Sequence, residues 1–293
     1  MLRRALLVGL NHYPNPENNL KGCVNDVLQV SQLLQTGFGF ADVRQIRLLT
    51  DERATTAGIK DRLRWLLDGT TAGDVLVFHY SGHGAQVRDR HGDELDDGLD
   101  EIICPYDLDW DDPFTDDDLH ECLKGLRPGV NLTVVLDCCH SGTGLREVAS
   151  AVSLPSRRKS LDAPPDVRHR VGPAIQDLGS ARRFTMTRAL VELRLRRFGQ
   201  RAAEAGALLL AGCQSDQLSA DAWIDGDYHG AFTYFLCTAA EEARYRISCL
   251  DLLKRTRQLL AANRFDQIPQ LEGPRDAVTQ PVFSPLTSAA TAA

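Results

Sequence analysis

A three-layer α/β/α sandwich built on a mostly parallel central sheet is the fold class this sequence predicts, and three observations predict it. Five short apolar runs recur along the chain, each bounded by turn residues. Segments with helical spacing of apolar residues fall between them. The runs are apolar on consecutive rather than alternate positions, as strands covered on both faces are.

The elements follow in order. Ala5 to Leu10 reads as the first buried strand: its apolar run stops at Asn11 and His12, too short for a membrane span, and no small-residue cleavage site follows. Asn19 to Leu34 has helical spacing through Val24, Val27, Leu28 and Leu34, and Val43 to Leu49 reads as a strand. Thr55 to Leu67 is helical through Ile59, Leu63, Leu66 and Leu67. Val75 to Ser81, Val130 to Asp137 and Ala207 to Cys213 are the remaining predicted strands. Gly230 to Ala243 and Cys249 to Ala262 are predicted helices, the second capped by Ser248. Between Ser153 and about Thr187, four prolines (155, 164, 165 and 173) and clustered basic residues predict an exposed, poorly ordered linker. Helical spacing resumes from Thr187 to Phe198, and Thr287 to Ala293 is a small-residue tail. The organisation expected is therefore a large part (residues 1–153), a basic flexible linker (154–186) and a small part (187–293) that completes the same domain.

Composition bounds the function. With 293 residues, 43% hydrophobic and 25% charged, the chain can bury a large core as an ordinary soluble protein. Eight cysteines without CxxC spacing, two of them adjacent, suit a reducing compartment, and a cytoplasmic location is expected. The net charge of −7 hides an asymmetry: residues 89–118 hold twelve Asp and two Glu against one Arg, whereas residues 155–201 hold twelve Arg or Lys against four acids. The basic stretch lacks interleaved stacking aromatics and any nucleic-acid motif, so neither nucleic acid nor membrane is an expected partner.

Two segments carry the chemistry: Tyr80-Ser81-Gly82-His83-Gly84 and Asp137-Cys138-Cys139-His140-Ser141-Gly142. Each follows a predicted buried strand, and in parallel sheets the reactive groups gather at strand carboxyl ends. A thiol attacks a carbonyl as thiolate, and a nearby imidazole supplies both the proton acceptor and the positive charge that this needs. His83 lies between two glycines, which lets the backbone approach a substrate and leaves an amide for an oxyanion. Zinc is not expected, since Cys104, His120 and His140 have neither CxxC nor HExxH spacing. A serine nucleophile elbow is also excluded, because no glycine stands two residues before Ser81.

With these two segments, four more complete a resemblance: residues 20–26 (LKGCVND), 99–105 (LDEIICP), 116–120 (DDDLH) and 216–221 (DQLSAD). In this order the chain resembles the metacaspases, in the caspase-like clan of cysteine peptidases, over roughly Ala5 to Phe283. A caspase signature, Gln-Ala-Cys-x-Gly, is absent around Cys139. The compact layout, with no long segment before the first strand, fits a prokaryotic member and leaves recruitment to a separate partner or to other surfaces of the chain.

The resemblance implies a caspase-like fold with Cys139, not Cys138, as nucleophile, and His83 as the group that protonates the leaving amine. It also implies an oxyanion site made by the amides of Gly84 and Cys139. The family's acidic pocket maps onto Asp26 and Asp137, with Ser81 and Cys23 beside them. A buried carboxylate pair rewards an entering cation and repels Asp, so cleavage of protein or peptide substrates after Arg or Lys is expected, by a monomer. The family's calcium positions map onto Asp100, Asp116 and Asp117, while a fourth carboxylate position falls on Arg146, with Glu147 adjacent. A peptidase selecting basic residues would find candidate autocleavage sites in its own linker at Arg157, Arg158, Lys159, Arg182 and Arg183. The competing reading is a catalytically silent caspase-like module that binds calcium or a partner.

Overall fold

The computed structural model describes residues 1–88, 99–139, 156–164, 167, 206–213, 217 and 219–286. The elements that carry the sheet are β1 (Arg3–Gly9), β2 (Ile46–Thr50), β3 (Val75–Ser81), β7 (Asn131–Asp137), β9 (Leu208–Ala211) and β12 (Gln270–Glu272). They are ordered β12-β9-β7-β3-β1-β2, with every neighbouring pair parallel except β12 with β9. Strand alternation sorts their side chains to two faces. Leu6, Val8, Phe78, Val134 and Leu209 pack with α2 (Thr56–Leu67) and α3 (Asp116–Leu123) through Ile59, Leu63, Leu119 and Leu123. Ala5, Leu7, Val77, Val135 and Leu210 pack with α1 (Cys23–Gly37), α4 (Ala231–Glu242) and α5 (Cys249–Ala262) through Val27, Leu34, Phe232 and Leu252. The fold is thus the α/β three-layer sandwich on a mostly parallel sheet. No helix among the described residues is long and apolar enough to cross a membrane.

Several local readings change. Val43–Gln45 is a 3-10 turn rather than strand, because Asp42 caps it in a reciprocal capping box with Gln45, and β2 begins only at Ile46. Asn19 to Gly22 lies outside α1. The amides of Lys21 and Gly22 donate to Asp221, at 2.8 Å each, and the Val24 amide donates to Asn11 Oδ1 at 3.2 Å, so partners from outside the helix, rather than its own N-cap side chain, hold its start. Around the acidic stretch, β4 (Gly84–Arg88), β5 (Leu99–Ile103) and β6 (Phe114–Thr115) form a small antiparallel sheet, and α3 follows with Thr115 and Asp118 in a capping box.

The largest change falls in the expected linker. Ser156–Arg158 form β8, antiparallel to β10 (Ala220–Ile224), which also pairs with β11 (Asp227–Gly230). Lys159 is wholly buried. A poorly ordered connector is therefore not what these residues make: Ser156–Arg158 are exposed but held by ladder hydrogen bonds, and Lys159 is held by buried ion pairs. Residues 168–186, the expected helix at Thr187 to Phe198 and the tail from Thr287 lie outside the described residues.

Candidate active site

β3 and β7 are adjacent, parallel and in register, with Ser81 opposite Asp137, so the two motifs leave the sheet side by side. Cys138 continues the alternation of Val134 and Leu136 and packs in the α2/α3 core layer. Asp137 falls on the opposite face, towards α4, where its Oδ2 accepts from the Thr233 amide at 3.0 Å and hydroxyl at 2.7 Å. Asp26 reaches the same place from the first turn of α1, where Gly230 N donates to its Oδ1 at 2.8 Å.

Between these carboxylates lies the ammonium of Lys159. Its Nζ is 3.1 Å from Asp26 Oδ2, 3.3 Å from Asp137 Oδ2 and 2.8 Å from Ser81 Oγ, and all four residues are buried. Burial alone would push the Lys159 ammonium towards neutrality, but Asp137 and Asp26 outweigh it and raise its pKa well above the ordinary value. Burial likewise works to raise the Asp26 carboxyl, and the Lys159 charge, the nearby His229 ring and the hydrogen bond from Ser81 bring it below the ordinary value. Cys23 is buried beside them, its thiol pushed up by burial. The Asp26, Asp137, Ser81 and Cys23 set drawn from the sequence is therefore one pocket, filled by a residue of the same chain.

The backbone of Lys159 is held as firmly as its side chain. Its carbonyl oxygen accepts from two amides, Gly84 N and Cys139 N, at 3.1 Å each. Its own amide donates to Ser219 O at 3.1 Å. Two donors converging on one carbonyl are what an oxyanion requires. Upstream, Arg157 Nη1 donates to Asn19 O at 2.8 Å and to Glu17 O at 3.3 Å, while Arg157 and Arg158 are exposed.

His83 is buried against Tyr13, ring centroids 4.9 Å apart, and its amide donates to the Tyr13 hydroxyl at 2.9 Å. Nε2 is 2.7 Å from Asn18 O, which can only accept, so Nε2 carries the proton and Nδ1 the lone pair. Nδ1 has no hydrogen-bond partner among the described residues. Burial lowers the His83 pKa to about 4, and the nearby Lys159 and Arg157 charges add to this, so the ring is neutral. The Cys139 thiol is hydrogen-bonded to the backbone of Ser219, accepting from N and donating to O at 3.6 Å, and not to His83. The facing thiol and imidazole expected from the sequence thus stand at neighbouring strand ends, with the sulfur turned to Ser219.

Several participants were not anticipated. Asn18 and Tyr13 orient the imidazole, Ser219 holds both the thiol and Lys159, and Thr233 fixes Asp137. Gly230 walls the pocket: a Cβ there would collide with the Lys159 ammonium and with the carboxylates of Asp137 and Asp26. The lone sequence signal for these was the 216–221 motif, of which Ser219 is part. Arg182 and Arg183 lie outside the described residues, as do Arg146 and Glu147.

For the cation positions, Asp100 is buried on β5, and Asp116 and Asp117 stand in the first turn of α3, which packs against β5. An all-carboxylate donor set suits a hard, oxygen-seeking cation. Among the described residues no three His, Cys, Asp or Glu side chains close on a single point. The donor type therefore fits calcium, and closing a shell would require further oxygens.

Residues 3–147 match the family described as metacaspase, peptidase C14 domain. Metacaspase-1 of Schizosaccharomyces pombe is 34% identical over 291 residues, covering 92% of this chain and 66% of that protein. Metacaspase-1 of Scheffersomyces stipitis is also 34% identical, covering 92% of this chain and 70% of that one. The chain thus spans about two thirds of these relatives' length. Among solved structures, protein GSU0716 from Geobacter sulfurreducens superposes with a TM-score of 0.66 at 26% identity, covering 98% of this chain and all of the other. Caspase-1 from Spodoptera frugiperda shares the fold, with a TM-score of 0.54 at 13% identity over 97% of this chain and 90% of the other.

Proposed function

The chain belongs to the metacaspase family, and from that premise we propose that it is a cysteine endopeptidase cutting after Lys or Arg, with its own Lys159–Ser160 bond as the first substrate. One observation carries this reading: the Lys159 ammonium fills the acidic pocket while its carbonyl oxygen meets the amides of Gly84 and Cys139. A structural lysine would need the ion pairs but not the paired amides on its carbonyl. Among the candidate bonds, the one after Lys159 is favoured because Arg157 and Arg158 point their charges away from the pocket into solvent and to the 17–19 loop.

In the proposed reaction the Cys139 thiol leaves Ser219 and its sulfur bonds to the Lys159 carbonyl carbon. Nδ1 of His83 takes the thiol proton, and the electron pair displaced onto the carbonyl oxygen is stabilised by the two amides. Collapse of this adduct breaks the bond to the Ser160 nitrogen, which receives the proton from His83. Water then enters, gives a proton to the imidazole and its oxygen to the carbonyl carbon; collapse expels the sulfur, which takes that proton back from His83 as the thiol. The hydrogen bond from Nε2 to Asn18 keeps the ring in the tautomer this relay uses.

Calcium is proposed as an activator, held by Asp100, Asp116 and Asp117 and supplying charge neutralisation to the acidic stretch next to β4, whose first residue is Gly84. The eight cysteines are all free, which supports action in a reducing, cytoplasmic setting. Protein substrates and a monomeric state complete the reading.

The test compares wild-type and Cys139→Ala protein by sequencing new termini and by turnover of fluorogenic peptides ending in Arg, Lys or Asp. A new amino terminus at Ser160 and turnover of the basic peptides are expected in the wild type alone, with a loss of about 10⁴-fold or more in the variant. Preferential cutting after Asp, or equal activity of the variant, would overturn the proposal.

A further inference from the structure

The chain after Lys159 is docked too, and by different means. Gly84 donates its amide to the carbonyl of Lys159 at 3.1 Å and accepts from the amide of Leu161 on its own carbonyl at 2.9 Å. This is a parallel bridge centred on Ser160. A single residue of the His83 loop therefore grips the polypeptide on both sides of the bond between residues 159 and 160. Beyond the bridge the side chains alternate as a strand's do. Leu161 is half-buried against the apolar layer that covers the α2/α3 face, Asp162 is exposed, and Ala163 is buried in the same layer at 7% exposure. Val167 joins them, its amide returning to Pro164 O at 3.0 Å.

We propose that the cleft carries an apolar subsite for the second residue after the scissile bond, occupied here by Leu161, so that substrates are read on the leaving-group side as well as by the basic residue. The inference rests on reading Lys159 as the residue before that bond. The physical argument is register. Once Gly84 has fixed residues 159 and 161 by backbone hydrogen bonds, the side chain at 161 has one direction available, and that direction leads to apolar side chains. A leucine loses part of its contact with water there against apolar side chains, whereas a carboxylate would lose hydration beside the same apolar layer. The exposed position of Asp162 predicts indifference at the third residue.

The test has two arms. In the first, internally quenched peptides of sequence Ser-Arg-Arg-Lys-Ser-Leu-Asp-Ala are offered to the processed enzyme, with the Leu replaced by Ala or Asp and, separately, the following Asp replaced by Ala. The value of kcat/KM should fall about threefold or more with Ala and tenfold or more with Asp at the Leu position, and should stay within twofold for the change at the next residue. Equal kcat/KM for Leu, Ala and Asp overturns the subsite. In the second arm, Cys139→Ala protein, which cannot cut, is compared with the same protein carrying Leu161→Asp or Asp162→Ala by hydrogen exchange. Exchange at the Leu161 amide should rise at least tenfold with the first change and not with the second; unchanged exchange in the first overturns the subsite. Failure to cut any basic peptide would refute the peptidase reading, and the exchange arm would still decide whether residue 161 is held in a subsite.

Discussion

The two most charge-biased stretches of this chain end in opposite circumstances. Among its described residues the acidic stretch stays largely at the surface, with Asp100 the buried exception: Asp109, Asp111 and Asp112 are exposed, and Asp116, Asp117 and Asp118 stand in the first turn of α3, where carboxylates are favoured by the helix dipole. The basic stretch instead sends one cation into the interior. Arg157 and Arg158 remain exposed, but Lys159 beside them is fully buried between Asp26 and Asp137. A run of like charge is usually a solvated face, and that default holds until a complementary pair is buried elsewhere. A lone buried ammonium would be very costly; set against two carboxylates and a hydroxyl, it becomes a fixed point.

The contrast is broken most directly by Asp26→Ala. Removing one partner from a buried ion set costs about 3–5 kcal/mol, so kcat/KM for peptides ending in Lys or Arg should fall by about 10² or more. Self-cleavage after Lys159, read as the rate of appearance of an amino-terminal Ser160, should slow in parallel, and an unchanged rate would remove Asp26 from the pocket. A smaller effect is expected on the acidic side. Asp117→Asn should reduce calcium stimulation severalfold while leaving turnover without calcium unchanged, since Asp117 is remote from the Lys159 contacts. Titrating activity against calcium in both proteins checks this, and equal curves would exclude Asp117 as a ligand.

The gentlest probe is pH. Burial lowers the pKa of both His83 and His79 to about 4, against an ordinary value near 6.5. A depressed histidine contributes stability that is complete above about pH 6.5 and is lost as the pH falls towards 4. Each group accounts for on the order of 3 kcal/mol over that window. Thermal melts of Cys139→Ala protein from pH 7 to pH 4 should show this decline, and a His79→Gln variant should flatten part of it. A melting curve indifferent to pH across that range would mean that the imidazoles are not held neutral.

The sheet was legible because its strands are buried on both faces: Val75–Ser81 needed no adjustment, and Val130 to Asp137 shifted by one residue. The nearness of the His83 and Cys139 segments, and of Asp26 to Asp137, was legible because these residues sit at strand and helix ends. What escaped was set by distant partners. Asp221 helps to hold the start of α1 from 199 residues away, measured to Gly22, and no local pattern announces it. The docked strand Ser156–Arg158 was hidden in the same way, because its prolines and charges describe a linker until β10 supplies a ladder. The thiol's partner, Ser219, likewise depends on β10 arriving beside β7's end.

One consequence of the seated Lys159 concerns what happens after a single cut. If the bond before Ser160 is cut as proposed, the downstream elements stay packed in the sheet and core, and the new carboxyl terminus stays covalently attached, through residues 140–158, to the very cysteine that made it. An inhibitor on so short a leash competes at an effective concentration of order millimolar, whatever the dilution of the enzyme. Clearing the cleft for an outside substrate is then a separate event from breaking the bond, and the peptidase has two thresholds where its chemistry alone would suggest one.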